Sequence, residues 1–262
     1  MTDPQPHAEL ERRLGELVQQ QRDLVERLQH DQVHFQQLAR SVWRVQEEER
    51  RRLARELHDG IGQNLTAIMH LLSQSISALP DATPVRAGLE KVRSLAATTL
   101  DETRALSRLL RPQILDDLGL EAALRWLART FGETHALDVR LEFARPLPDL
   151  DGDRSTLIFR VAQEALNNIV RHAQARRVDI SLRQLSARLQ LQVRDDGRGC
   201  DMRVALEKGS AGQSSGIGGM RDRVRLFSGQ FEVESQPGAG FCISIEFPLA
   251  SNQGASTRAG IA

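Results

Sequence analysis

The chain has 262 residues, 40% hydrophobic and 27% charged, which is enough apolar content for a globular domain plus a sizeable helical element and excludes a fully disordered chain. Lys+Arg and Asp+Glu both number 35, so the total shows neither a basic surface for direct nucleic-acid binding nor an acidic tail. No apolar run approaches the roughly 20 residues of a membrane span, Met1 is followed by polar residues and prolines rather than an export signal, and Cys200 and Cys242 lack metal-type spacing; the expectation is a cytoplasmic protein with reduced thiols.

After a flexible start over residues 1–9, apolar residues recur over 10–45 at alternating spacings of four and three: Leu10, Leu14, Leu17, Leu24, Leu28, Phe35, Leu38, Val42 and Val45, interrupted at Gln21 and Asp31. This heptad seam predicts a coiled coil, most economically a parallel homodimer, with a single amphipathic helix as the alternative. His30 and His34 share a helix face but lie off the seam with no third ligand nearby, which reads as a solvated face. The rhythm then shifts. Leu53, Leu57, Ile61, Leu65, Ile68, Leu72 and Ile76 form a new stripe ending at Leu79-Pro80-Asp81, and a second stripe (Leu89, Val92, Ala96, Thr99, Thr103, Leu106, Leu110) runs from Pro84 to Arg111-Pro112. Residues 46–111 therefore read as an antiparallel hairpin, and a dimer of hairpins makes a four-helix bundle.

Residues 112–130 read as a connector with a helix. Over 131–250 the pattern changes to period two: Leu137, Val139, Leu141, Phe143; Val178, Ile180, Leu182; Leu189, Leu191, Val193; Phe231, Val233; Ile243, Ile245, Phe247. Helical stretches over 153–172 and 219–227 separate some of these strands, predicting an α+β two-layer domain with helices on one face of a mostly antiparallel sheet. Residues 251–262, small and polar, read as a disordered tail.

Chemistry concentrates in two places. In Arg55-Glu56-Leu57-His58-Asp59-Gly60-Ile61-Gly62-Gln63, His58 follows the core residue Leu57 and so turns about 100° off the stripe toward solvent. Asp59 can orient the imidazole or take its proton, leaving the other ring nitrogen as nucleophile, and Gln63 follows one turn later, where an acid and an amide could hold a water. By itself such a histidine is ordinary surface. The second place supplies context. Glu164 and Asn168 are spaced i, i+4 with Arg171 and His172 a turn later: two oxygen ligands suited to Mg²⁺ carried in by a nucleotide, then two phosphate-seeking donors. A strand runs into Asp195-Asp196-Gly197-Arg198-Gly199, where a carboxylate beside glycines could read the amino group of adenine. The stretch over 209–219, with Gly216, Gly218 and Gly219, opens into a helix whose amides suit phosphate; no Gly-Lys-Ser/Thr follows, so it is not a Walker loop.

Over about 46–249 these motifs resemble a two-component sensor histidine kinase with the GHKL, or Bergerat, ATP-binding fold. Arg-Glu-Leu-His-Asp-Gly-Ile-Gly-Gln-Asn-Leu and Leu-Arg-Pro-Gln-Ile-Leu-Asp-Asp-Leu-Gly-Leu resemble the subgroup that works with LuxR/NarL-type response regulators, and the motifs at 164–168, 195–199 and 216–223 resemble the N, G1 and G2 boxes. The resemblance implies that His58 accepts phosphate with Asp59 as base, that Glu164 and Asn168 hold Mg-ATP, that Asp195 contacts adenine, and that Asp59 and Gln63 support dephosphorylation. Three positions depart from the usual pattern: Asp196 for Asn, Arg171 for Lys, and Phe241 for Thr. No sensory domain is apparent, so a signal would enter through the coiled coil or from a separate protein. The rivals are a catalytically silent pseudokinase acting as a nucleotide- or partner-binding module, and an anti-sigma-type serine kinase, which has no need of a hairpin bearing His58.

Overall fold

The computed structural model describes residues 5–80, 83–110, 113–144, 147–148, 150–201 and 216–249. The turn at Asp81-Ala82, the stop at Arg111-Pro112, residues 209–215 of the glycine-rich stretch and the tail lie outside them. The chain divides into two compact units, residues 1–46 and 47–262. No helix among the described residues is long and apolar enough to cross a membrane.

Helix α1 (Gln5–Arg55) carries the heptad seam. Leu14, Leu17, Leu24, Leu28, Phe35, Leu38, Val42 and Val45 are all exposed, so the seam is an unspent apolar stripe. A wide π-helical turn, Glu56–Gly62, leads into α2 (Gln63–Ser77). The sequence explains its place: Leu53, Leu57, Ile61 and Leu65 are three successive steps of four, each overshooting an α-helical turn by about 40°. A wider turn absorbs that surplus, and Gly60 and Gly62 ease the change of backbone.

Helix α3 (Pro84–Leu110) packs back along α2 and the wide turn. The expected single stripe on α3 divides in two. Ala96, Leu100, Thr103 and Ser107 are buried inside the hairpin, whereas Val92, Thr99 and Leu106 are exposed on another face with Val85 and Leu95. Small and hydroxylated residues on the inner face let the helices approach: Ser107 Oγ donates to the Ala54 carbonyl at 2.9 Å, and Thr103 Oγ1 to its own Thr99 carbonyl at 2.8 Å.

A short helix α4 (Gln113–Asp117) precedes α5 (Gly119–His135). Within the stretch read as a connector with a helix, Leu120, Ala123, Leu124, Leu127, Ala128 and Phe131 line one buried face of α5, which packs against α6 and β1. The spacing of three and four among these residues carried the signal.

The sheet has five strands in the order β1-β2-β3-β5-β4: β1 (Asp138–Phe143), β2 (Arg177–Leu185), β3 (Arg188–Asp195), β4 (Gln230–Ser235) and β5 (Phe241–Pro248). Among the described residues only β1 and β2 pair in parallel, and the crossover this demands is supplied by α6 (Gly152–Asn168). Asp151 caps α6, its Oδ1 accepting from the Arg154 amide at 2.7 Å. With α7 (Gly216–Leu226), α5 and α6 form the helical layer. The core lies between that layer and the sheet, with Leu157, Phe159, Leu166, Leu189, Leu191, Met220 and Phe247 almost wholly enclosed.

Candidate active site

His58 lies in the wide turn, where it, Asp59 and Gln63 are all exposed. A groove of about 390 Å³ beside it is lined by Leu57, His58, Gly62, Gln63, Thr66, Ala67, His70, Thr103 and Arg104. Gln63 thus shares a surface with His58, while Asp59 is not among the lining residues. Two ionisable members escaped the sequence reading. His70 stands 12 positions after His58, across the change from π to α geometry, and Arg104 comes from the other helix; no local spacing announces either. Arg104 brings a cation to the histidine's groove, its Nη1 lying 3.9 Å from Asp101 on its own helix.

The second cluster forms where β3 ends. Leu189, Leu191, Val193 and Asp195 share one face at period two, so Asp195 extends an apolar row inward as a carboxylate and is 4% exposed. Its Oδ1 accepts from the Gly197 amide at 2.8 Å, but its Oδ2 makes no hydrogen bond. Burial pushes the Asp195 carboxyl above the usual aspartate range, opposed by that amide and reinforced by the neighbouring Asp196 charge. Asp196 behaves in the opposite way: Oδ1 accepts from the Arg176 and Arg177 amides at 2.8 and 2.9 Å, which hold its carboxyl low. An asparagine could accept the same two bonds, so this departure from the usual pattern preserves the turn.

The loop after Asp195 is clamped from two sides. Gly197 packs on Ala173, whose carbonyl accepts from the Arg198 amide at 2.8 Å, and the Gly238 amide donates to the Arg198 carbonyl at 2.6 Å. Gly199 and Gly240 have positive φ, and a side chain on Gly240 would strike the Asp195 carbonyl. Ser235 Oγ donates to the Gly240 carbonyl at 2.8 Å and accepts from the Cys200 amide at 2.9 Å.

Glu164 and Asn168 meet the start of α7. A Cβ on Gly216 would collide with Glu164 Oε1 and lie 3.3 Å from Asn168 Nδ2, so the start of α7 lies directly against both side chains. Asn168 Nδ2 is buried without a hydrogen-bond partner. Beyond Asn168 the helix widens into a π turn, Ile169–Ala173, and ends at Gln174 in the left-handed region. Arg171 and His172 lie in that turn and are exposed, so the α-helical spacing that put them on one face with Glu164 and Asn168 does not describe them. Gly218 and Gly219 occupy the first turn of α7, and Arg223 folds back so that its Nη2 lies 3.5 Å from a Cβ position on Gly219.

Around these segments four buried polar atoms lack hydrogen-bond partners: the acceptor Asp195 Oδ2 and the donors Asn168 Nδ2, Arg221 Nε and Arg223 Nε. Native interiors rarely leave such atoms unsatisfied without a ligand or water in view. An acceptor suits an exocyclic amino group, and Glu164 with Asn168 can offer oxygen to a cation. Among the described residues no three His, Cys, Asp or Glu side chains cluster as a metal site.

A histidine kinase family profile matches residues 49–115, and that of the "Histidine kinase-, DNA gyrase B-, and HSP90-like ATPase" family matches residues 152–251. The chain belongs to the histidine kinases. The first stretch contains His58 and the hairpin, and the second contains Glu164, Asn168, Asp195 and the glycines of α7. Among curated relatives, the sensor histidine kinase MctS of Rhizobium johnstonii is 35% identical over 85% of this chain and 48% of its own length. The signal transduction histidine-protein kinase/phosphatase UhpB of Salmonella typhimurium is 34% identical over 88% of this chain and 45% of its own. The oxygen sensor histidine kinase NreB of Staphylococcus carnosus is 31% identical, covering 78% and 58%. The chain thus spans about half the length of the relatives it matches.

Proposed function

We propose that this histidine kinase chain transfers the γ-phosphoryl group of ATP to its own His58 and then to an aspartate on a response regulator of the LuxR/NarL type. The observation that carries the reading is the pair of unsatisfied atoms, Asp195 Oδ2 and Asn168 Nδ2, on a chain that also presents an exposed histidine in a groove of its own. Asp195 accepts from the adenine amino group. Glu164 and Asn168 would hold Mg²⁺ brought in with the nucleotide, and the ion would supply charge neutralisation for the transferred group. Arg171 and His172 provide donors to phosphate, Gly197 and Gly199 permit close approach of the nucleotide, and the α7 start at Gly216, Gly218 and Gly219 directs amides at phosphate oxygens.

In the transfer a His58 ring nitrogen forms the new N–P bond as the bond from the γ-phosphorus to the β–γ bridging oxygen breaks, ADP departs, and the imidazole proton passes to Asp59. Catalysis of this kind is mostly positioning and charge neutralisation. Phosphate is then handed to the regulator or, with Gln63 holding a water, removed; the relative named a kinase/phosphatase supports this second role. The working form is a cytoplasmic homodimer, supported by the exposed seam of α1 and the exposed apolar face of α2 and α3, with 10–45 as a coiled-coil signalling helix that takes its input directly or from a separate sensory protein. Incubation with γ-labelled ATP tests the reading: wild type acquires acid-labile, base-stable label, and His58→Ala and Asp195→Asn acquire none. Label that persists in His58→Ala overturns it.

A further inference from the structure

One buried charge is unused by the proposed chemistry. Arg160 lies on α6, one turn before Glu164, and is 8% exposed. Its Nε and Nη2 donate to both carboxylate oxygens of Glu47 at 2.8 to 3.1 Å. Its Nη1 donates to Gln163 Oε1 at 2.9 Å, and its Nη2 also donates to the Leu110 carbonyl at 2.5 Å. Glu47 is likewise 7% exposed. It lies on the helix that leads to His58, and Leu110 is the last residue of α3. A single guanidinium therefore ties the helix that carries Glu164 and Asn168 to both helices of the hairpin.

A buried ion pair adds little net stability, because the cost of desolvation offsets the attraction, but it holds two surfaces in one register and strands a charge when either partner is lost. Glu47 has an alternative partner. Arg50, three residues on and partly exposed, places Nε 3.8 Å from Glu47 Oε1, so Glu47 can leave Arg160 without standing alone. The docked arrangement also leaves His58 uncovered, since every residue lining its groove belongs to the hairpin and none to the nucleotide-binding half. Glu47 precedes His58 by 11 positions, about 16 Å along a helix.

We infer that the Glu47–Arg160 pair is a latch: closed, it docks the nucleotide-binding half on the base of the hairpin with His58 open to a partner protein, and it opens when ATP phosphorylates His58. Phosphate capture and phosphate hand-over then belong to two arrangements of one element, as a switch requires. The inference rests on the kinase reading for its activity arm, and its structural arm stands independently.

The test compares the full chain as wild type, Glu47→Gln and Arg160→Lys, recording the initial rate of His58 labelling across ATP concentrations and the radius of gyration by X-ray scattering without nucleotide. Glu47→Gln keeps the shape and loses the charge; it raises the maximal labelling rate roughly tenfold with the ATP KM unchanged, and it enlarges the radius of gyration. Arg160→Lys, which keeps the charge but loses the planar fork, gives an intermediate rate and carries the same test should Glu47→Gln fail to fold. A folded variant with an unchanged or lower rate, a change in KM alone, or an unchanged radius of gyration overturns the latch. If no variant, wild type included, takes up label, the kinase reading fails, and the radius of gyration alone decides the latch.

Discussion

Leu157, Phe159, Leu166, Leu189 and Leu191 are closed off within one chain in the α+β half, whereas the hairpin leaves Leu71, Val92, Leu95 and Leu106 half or more exposed. The difference follows from the number of layers. A sheet covered by α5, α6 and α7 can enclose its own apolar face, while two helices have only one line of contact and bury mainly Ile76, Ala96 and Leu100 along it. The α+β half thus encloses its own core. The hairpin that bears His58 leaves an apolar face that the proposed dimer would cover.

Several substitutions sharpen or break this contrast, beginning with the largest expected effect. Phe159→Ala removes a wholly enclosed ring and lowers the stability of the α+β half by about 3–5 kcal/mol in chemical denaturation. Gly240→Ala drives a methyl into the Asp195 carbonyl at a position of positive φ and costs about 2–3 kcal/mol, with nucleotide affinity lost as the loop shifts. Val92→Lys places a charge on the exposed hairpin face; light scattering reads a shift from dimer to monomer at micromolar concentration, with the α+β half melting as before. A wild type that is monomeric under those conditions breaks the contrast at its base. Ser107→Ala removes the bond to the Ala54 carbonyl and costs about 1 kcal/mol, seen in the hairpin transition alone.

Asp195→Asn has the smallest effect on stability and the most informative sign. The folded state raises the Asp195 carboxyl, so at neutral pH the ionised group is carried at a cost that disappears as pH falls through the raised value. The asparagine variant therefore melts no lower than wild type at pH 7, its advantage shrinks as pH falls into the acid range, and its nucleotide binding is lost. A variant markedly less stable at pH 7 would show that the carboxylate serves the fold rather than a ligand.

Most of the architecture could be read along the chain because it is written in local periods. The five strands follow alternation of apolar residues, the helices follow spacings of three and four, and Asp195 stands out because it occupies an inward position in such an alternation. What escaped was tertiary or geometric. Arg104 reaches the His58 groove from a second helix, and Glu47 and Arg160 meet across 113 positions. The two π turns change which residues share a face, and that is why the expected alignment of Arg171 and His172 with Glu164 does not follow from spacing. Over residues 112–130 the break at Pro112 is louder in the sequence than the buried stripe of α5. The divided stripe of α3 shows the same limit: a sequence marks apolar positions, but not which of two partners will cover each.

The most direct measurement of the central claim is localisation of the phosphate after incubation with Mg-ATP, by peptide mapping under neutral conditions that preserve phosphoramidates. The account predicts a single modified peptide with the phosphoryl group on His58, and its loss when a response regulator is added. Phosphate on a serine, threonine or aspartate of this chain with His58 unmodified would contradict it.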